Sequence, residues 1–592
     1  MKLRSFFSVL VAVVVLLLTI SVGGLYWLTA QSPLALLKGG ASTQPAAAIF
    51  IPRQAPVMLS LLVNPDRLDT LRRFVARPEE RRQAREELAQ FKQSLLANTD
   101  LSYERDVQPW LGDELTWAVT SADFDRDIAN GQQPGYLLAI ATQDPDRSRE
   151  FLQLFWQKRA IAGTDLVFEQ YKGVKLIYGS NASQAPELKP GPKNFAAKRR
   201  EALTKATAVP VTSLASAVVG DRFVLFANHP KVLRDAITNV QAPDLSLNSA
   251  SFYQRSLDTL TQPRIGLSFV NLPRLASWQA GAAVRQTTDK EVTSKETSTP
   301  QQTLAITLEL KPQGLLAETA LLTLAGQPEA LTPTLSEPVG ALKYIPATTS
   351  VAASGENLDQ LWKRLNQGLA GYETAGQVVS RAVADLEKQW QLSLPKDVFS
   401  WVTGEYALGL LPPQTPVNSK PPAEWIFVAE KSDPGTRKGL DQLNTIAQQQ
   451  GLTLGTIKLG EQTVSAWTRL APGKRDPQNL QAEVRGLHTS VGNYEVFATS
   501  IAAMEQALGA PKVSLTTAAE FQQAIAPLNL PNNGYLFVDW AAGQPILERQ
   551  LPVLKVLELA AKPLVEHLRS LTLSSYGSPS GIQRSAVFLR LS

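Results

Sequence analysis

The acidic residues with the most regular setting are Glu114 and Glu405, each four positions after a tryptophan, Trp110 and Trp401. The two stretches read Asp106-Val107-Gln108-Pro109-Trp110-Leu111-Gly112-Asp113-Glu114 and Asp397-Val398-Phe399-Ser400-Trp401-Val402-Thr403-Gly404-Glu405. If the segments carrying them faced each other, two carboxylates at about 5 Å would suit a retaining glycosidase pair. The competing reading is structural: each carboxylate accepts backbone N–H bonds where the chain turns into a strand. The structural reading is preferred, because a repeated segment repeats its acids whether or not they do chemistry.

Other catalytic chemistry has little to draw on. The histidines are His229, His488 and His567, far apart in the chain. A nucleophilic triad needs a histidine held beside both a nucleophile and an orienting group. Gly577-Ser578-Pro579-Ser580-Gly581 puts proline where a Gly-x-Ser-x-Gly motif needs its nucleophile. There is no cysteine, so thiolate and disulfide chemistry are excluded, and closely spaced zinc ligands are missing. No phosphate-cradling or dinucleotide-binding glycine motif occurs. The sequence therefore assigns no catalytic, cofactor-binding or metal residue. Trp110, Glu114, Trp401 and Glu405 stand as candidates for a structural or interaction role.

The elements around these residues recur in order. Phe50-Ile51-Pro52 precedes an apolar strand at 57–63, and Tyr344-Ile345-Pro346 precedes one at 350–354. Helices with apolar residues at i, i+4 and i+7 are expected next. One spans 78–97 with Ala84, Leu88, Phe91 and Leu95; the other carries Val379, Val383, Leu386 and Trp390. The tryptophan stretches lead into strands at 114–121 and 405–411, with hairpin partners at 136–142 and 425–429. Asp144-Pro145 and Asp433-Pro434 open helices, since aspartate caps free N–H groups and proline suits the first turn.

Short strands follow at 166–171 and 174–178, and at 452–458 and 463–469. A basic loop over 180–210 contains Lys189, Lys193, Lys198, Arg199 and Arg200, and reads as a solvated insertion. Hairpins with turns at Gly220-Asp221 and Gly492-Asn493 come next, because positive φ is cheap at such residues. Helices, strands at 265–270 and 535–538, and closing hairpins with turns at Gly314 and Gly581 complete each half. Most of the drift between matching positions is the extra length of the 180–210 loop. The expected fold is α+β: a tandem duplication of two similar units, each a largely antiparallel sheet with helices on one face. The units are expected at 48–335 and 336–592, after an N-terminal transmembrane anchor at 1–30 and a tether at 31–47.

The anchor, whose alternative is a cleaved signal peptide, rests on Lys2 and Arg4 ahead of a charge-free run from Phe6 to Leu28. About 20 apolar residues suffice to cross a bilayer as helix. A positive N-terminal flank predicts a cytoplasmic N-terminus, with the body on the other side. Across 592 residues the net charge is only +5, which does not suggest nucleic acid as a partner. With 44% apolar and 19% charged residues the remainder is globular.

The ordered set resembles the bacterial domain-of-unknown-function family 3352. The resemblance rests on the Ile-Pro opening, Trp110-Leu111-Gly112-Asp113-Glu114, Tyr171-Lys172-Gly173-Val174, Val219-Gly220-Asp221 and Ser251-Phe252. It covers nearly all of 48–592, taken as two copies. The second copy departs from it at Val402-Thr403-Gly404-Glu405 and Leu459-Gly460-Glu461. The resemblance brings no activity, so no residue role is carried over. Cyanobacterial versions look most similar, which implies a body in the periplasm or thylakoid lumen.

Three functional readings follow. The first is a membrane-tethered extracytoplasmic module, non-enzymatic, that binds an unknown protein partner or acts as a scaffold. The second is a carrier of an apolar ligand or lipid, motivated by a segment at 545–568 that is apolar on more than one face. A hydrolase using Glu114 or Glu405 is a third.

Overall fold

The structure, a computed structural model, describes residues 44–66, 101–126, 132–180, 214–260, 263–284, 302–311, 313–323, 332–369, 384, 387, 391–412, 424–432, 434–472, 480–544, 567–578 and 581–591. The expected anchor at 6–28, the amphipathic helix at 78–97, its counterpart at 379–390 except 384 and 387, the basic loop at 180–210 except 180, and nearly all of 545–568 lie outside these residues. Among the described residues no helix is long and apolar enough to cross a membrane. The chain divides into two compact units. One holds the described residues 44–311 and 319–323; the other holds 313–318 and those from 332 onward.

The amino-terminal unit runs β1 (Val57–Leu61), β2 (Leu111–Ser121), β3 (Gly135–Thr142), α1 (Pro145–Ile161), β4 (Asp165–Tyr171), β5 (Val174–Ser180), β6 (Ala215–Val219) and β7 (Phe223–Ala227). Then come α2 (Pro230–Gln241), α3 (Ser251–Asp258), β8 (Gly266–Asn271), α4 (Leu272–Val284) and β9 (Gln302–Lys311). The strand β10 (Gly314–Thr323) carries residues of both units. Within the unit the strands pair in the order β9-β8-β1-β2-β3-β7-β6-β5-β4, antiparallel throughout. Asp144 caps α1, its carboxylate accepting from Arg147 N–H at 3.1 Å, with Pro145 at the first position. His229 caps α2 in the same way: its Nδ1 accepts from Lys231 N–H at 3.2 Å.

The carboxy-terminal unit contains β11 (Val351–Glu356), α5 (Leu358–Leu369), β12 (Glu405–Leu410), β13 (Trp425–Glu430), α6 (Gly435–Gln449), β14 (Thr453–Leu459), β15 (Gln462–Pro472) and β16 (Leu480–Val491). It ends with β17 (Tyr494–Ala498), α7 (Ile501–Gly509), α8 (Ala519–Ile525), β18 (Tyr535–Asp539), β19 (Leu568–Ser575) and β20 (Ile582–Leu591). Its strands pair as β20-β19-β18-β11-β12-β13-β17-β16-β15-β14, again antiparallel. The α+β class and the antiparallel sheet are as the sequence predicts.

Helices lie over both faces of the carboxy-terminal sheet, not over one. Successive side chains of a strand point to opposite faces. In β13, Ile426 and Val428 join a core with Ala503, Met504 and Ala507 of α7 and Phe521 of α8. Phe427, between them, packs with Trp401 and with Leu443 of α6. A strand that is apolar at both parities needs cover on both sides, and β13 is one. The same holds for β1 of the amino-terminal unit, where all residues are buried.

Two turn assignments separate. Gly220 and Gly492 adopt φ of +57° and +56°, the left-handed region in which glycine carries no Cβ penalty. Gly314, expected in a turn, instead opens β10. There a Cβ would lie 1.9 Å from the Leu589 carbonyl oxygen, so the glycine is needed for close backbone approach.

Candidate functional site

Each tryptophan stretch folds into one turn of π-type helix, Tyr103–Val107 and Leu394–Val398. The aspartate of each turn accepts the N–H that opens it: Ser102 donates to Asp106 at 2.6 Å, and Ser393 to Asp397 at 2.7 Å. The indole N–H then donates back to the carbonyl of that aspartate, Trp110 to Asp106 at 2.8 Å and Trp401 to Asp397 at 2.9 Å. Trp110 is 1% exposed and Trp401 7%. Trp110 stacks at a tilt on Phe151 of α1, ring centroids 5.2 Å apart. Trp401 lies against the backbone of α6 at Gly439, where a Cβ would come within 2.5 Å of its Nε1.

The two carboxylates serve within their own units. Glu114 accepts from the Ala46 and Ala47 N–H groups, both at 2.8 Å, and from the Thr116 hydroxyl at 3.0 Å. Those amides open the 3-10 turn Ala46–Ile49, which has no side-chain cap of its own. Glu405 accepts from Ala341 N–H at 3.2 Å, in the matching turn Gly340–Tyr344, and from the Tyr494 hydroxyl at 2.7 Å. Burial, then the bond to Glu405, holds the Tyr494 phenol well above its usual range. With these partners, neither carboxylate is arranged as a free acid or base.

Burial pushes the Glu114 carboxyl above its ordinary 4.5, against the pull of the Ala47, Ala46 and Thr116 donors. A group whose folded pKa is raised favours the native state below the unfolded pKa, and that contribution is lost as pH rises through the folded value. Relative to Glu114→Gln, which does not titrate, wild-type stability should therefore rise as pH falls from neutral toward and below 4.5. Urea unfolding of both proteins at several pH values measures this. A stability difference that is flat or opposite in sign would show that the carboxylate is not desolvated.

Among the described residues, a cavity of about 620 Å³ in the carboxy-terminal unit has room for a ligand, between one sheet face and the cover of α5, the π-turn and α6. Its sheet wall is aromatic: Tyr406, Trp425, Phe427, Trp467 and Phe497. Trp401 and Leu394 come from the π-turn segment, and Leu443 and Ala447 from α6. Trp467 is fixed by its indole N–H, which donates to Asn444 of α6 at 2.9 Å, and it lies over Gly486, where a Cβ would be 2.9 Å from its ring. On the same sheet face His488 stacks on Trp467 and Phe497, centroids 5.0 and 5.7 Å away. Its Nδ1 is 2.6 Å from Glu495, which also accepts from Ser490.

Polar groups are few and placed at the margins. Arg469, Glu483 and Arg485 line the cavity from the exposed ends of β15 and β16, with Arg485 paired to Glu483 at 2.9 Å. Glu424 and Trp425 line it where β13 begins. Glu424 Oε1 accepts from Ser500, the cap of α7, at 2.9 Å, while Oε2 is buried and unbonded. The Trp425 indole N–H is likewise buried and unbonded.

Of the sequence candidates, the structure brings Trp401 to this cavity; Glu405 opens β12, one residue before the lining Tyr406. Trp110 and Glu114 belong to the other unit. Trp425, Trp467 and Glu424 were missed. Their only local signal is aromatic alternation in Trp425-Ile426-Phe427, which any half-buried strand can show. Among the described residues no group of three or more His, Cys, Asp or Glu could hold a metal ion.

Comparison with curated proteins and with solved structures finds no match. The match of a family model is different in kind, since it runs over residues 10–591 and so takes in both tryptophan turns and the whole cavity. The chain belongs to the family described as Protein of unknown function (DUF3352).

Proposed function

We infer that the protein is a non-enzymatic carrier, and that its carboxy-terminal unit holds an apolar molecule. The observation that carries this reading is the aromatic cavity of about 620 Å³. Small-molecule sites are concave, mostly apolar and roughly 300–1,000 Å³ in size, with a few convergent polar groups. The carboxylates Glu114 and Glu405 are engaged in structural bonds, which weighs against the hydrolase reading.

The body sits outside the cytoplasm, in the periplasm or thylakoid lumen, tethered by a single span at 6–28. The support is the Lys2 and Arg4 flank and the charge-free run that follows it. The two units descend from one duplicated ancestor; the like strand orders and the paired Trp–Asp turns support this. A protein-binding module is the second reading. Phe168, on β4 at the end of the described strand order, is 60% exposed and offers an edge to a partner strand.

One experiment tests carrier and tether together. A specific protease site is placed within 31–43, membranes are treated from the extracytoplasmic side, and the released body is weighed by native mass spectrometry. The expected result is release from that side, with a small apolar molecule retained by the wild type and lost in Ala447→Phe. A body released empty, with no uptake of added apolar molecules, overturns the carrier. Release only from the cytoplasmic side overturns the orientation.

A further inference from the structure

Three charged residues, Arg469, Glu483 and Arg485, line one margin of the cavity. Arg469 of β15 and Glu483 of β16 stand directly opposite each other in the register, so their side chains share a sheet face. The pairing shifts between Trp467 and Thr468: Trp467 faces Gly486 and Thr468 faces Val484, which leaves Arg485 as an extra residue on β16. Such a bulge bends its strand and re-aims a side chain. Arg485 and Gly486 both line the cavity as a result, and Arg485 Nη2 lies 2.9 Å from Glu483 Oε2. Arg469 and Arg485 are therefore both neighbours of one carboxylate, at one margin of one cavity.

The charges at this margin do not balance. Arg485 is paired with Glu483, while Arg469 makes no ion pair or hydrogen bond among the described residues. Glu424, the other acidic residue of the lining, is held by Ser500, the cap of α7, and α7 packs on the opposite sheet face. Both arginines are exposed, so a ligand can reach them from solvent. One surplus positive charge thus stands beside an aromatic cavity.

Building on the carrier reading, we propose that Arg469 and Arg485 bind the carboxylate of a long-chain acid whose hydrocarbon lies among the aromatic rings. The planar guanidinium fork matches a carboxylate with two parallel N–H bonds. A single negative charge neutralises the surplus. An alkyl ammonium would meet two cations, and a neutral alcohol would leave the surplus charge in place. Phe427, Trp467 and Phe497 cover an apolar tail. The ligand class is a monoanionic amphiphile, not a neutral or cationic one.

Three probes of equal chain length separate these: an alkanoate, the primary alcohol and the alkyl trimethylammonium. Binding to the purified full chain in phosphatidylcholine nanodiscs is measured by equilibrium dialysis at pH 8, with empty discs as the blank. The alkanoate should bind about fivefold or more tightly than the alcohol, from two partly exposed charge-assisted bonds, and the ammonium most weakly. Added salt should shrink the alkanoate's advantage.

Arg469→Gln and Arg485→Gln should each lower the alkanoate-to-alcohol ratio toward one. Glu483→Gln removes the competing carboxylate and should raise that ratio, a gain that misfolding does not produce. Equal binding of alkanoate and alcohol to the wild type overturns this proposal while leaving the carrier reading standing. So does an alkanoate advantage that survives both arginine variants, or tighter binding of the ammonium. No binding of any probe overturns both readings.

Discussion

Replacing Trp110 with alanine should lower stability by about 3–5 kcal/mol, the range for removing a large aromatic ring from a packed core. Trp110 heads the largest fully buried side chains of the protein. It packs in one cluster with Phe151, Phe155 and Trp156 of α1, Ile140 of β3 and Val224 of β7. Its indole also closes the π-turn through Asp106, so truncation removes a hydrogen bond along with the packing. Urea unfolding, read through amide protection of β2 and β3, measures the loss. Trp110→Phe keeps most of the ring volume and loses the N–H, and should cost less. A loss under about 1 kcal/mol for alanine would mean that the neighbouring rings collapse into the space, contrary to a rigidly packed core.

Gly534→Ala should cost about 2–5 kcal/mol, because two penalties fall on one residue. Gly534 has φ of +110°, which L side chains rarely adopt, and an added Cβ would lie 2.0 Å from the Ser354 carbonyl oxygen. Both neighbours are backbone, the second being Gly355 Cα at 2.7 Å, so no flexible side chain can move aside. The strain falls where β11 pairs with β18, Ser354 opposite Tyr535. Gly451 is the matched control: its φ is +73° with nothing within 4 Å of a built Cβ. Gly451→Ala should show only the left-handed penalty, about 1–2 kcal/mol. If the two variants lose the same stability in urea, the clash at Gly534 relaxes without cost.

Local features were legible because local chemistry decides them. The Asp144-Pro145 start of α1 needs only a carboxylate within reach of its own first turn. Gly220 and Gly492 sit in tight turns where positive φ admits few other residues. Strands at 57–61, 135–142 and 582–591 follow from apolar runs or alternation bounded by turn residues. The Trp110 and Trp401 turns were visible as a repeated motif, though their π-type geometry was not, since it depends on where one carbonyl finds its donor.

The sequence by itself determined the antiparallel α+β class, the turns at Gly220 and Gly492 and the recurrence of one Trp-x-x-x-Glu segment in each half. Those properties come from residues a few positions apart, whose propensity and periodicity act before any distant contact forms. Tertiary structure alone decided which strands neighbour one another: β1 pairs with β2 on one side and with β8 on the other. It alone supplied the partners of Glu114, the amides of Ala46 and Ala47. It decided that helices cover both faces of β13, and it gathered Trp401, Trp425 and Trp467 around one cavity. The reason is physical. A strand's apolar pattern says which faces must be buried but not what buries them, and that choice rests on long-range pairing and packing that no short window of sequence contains.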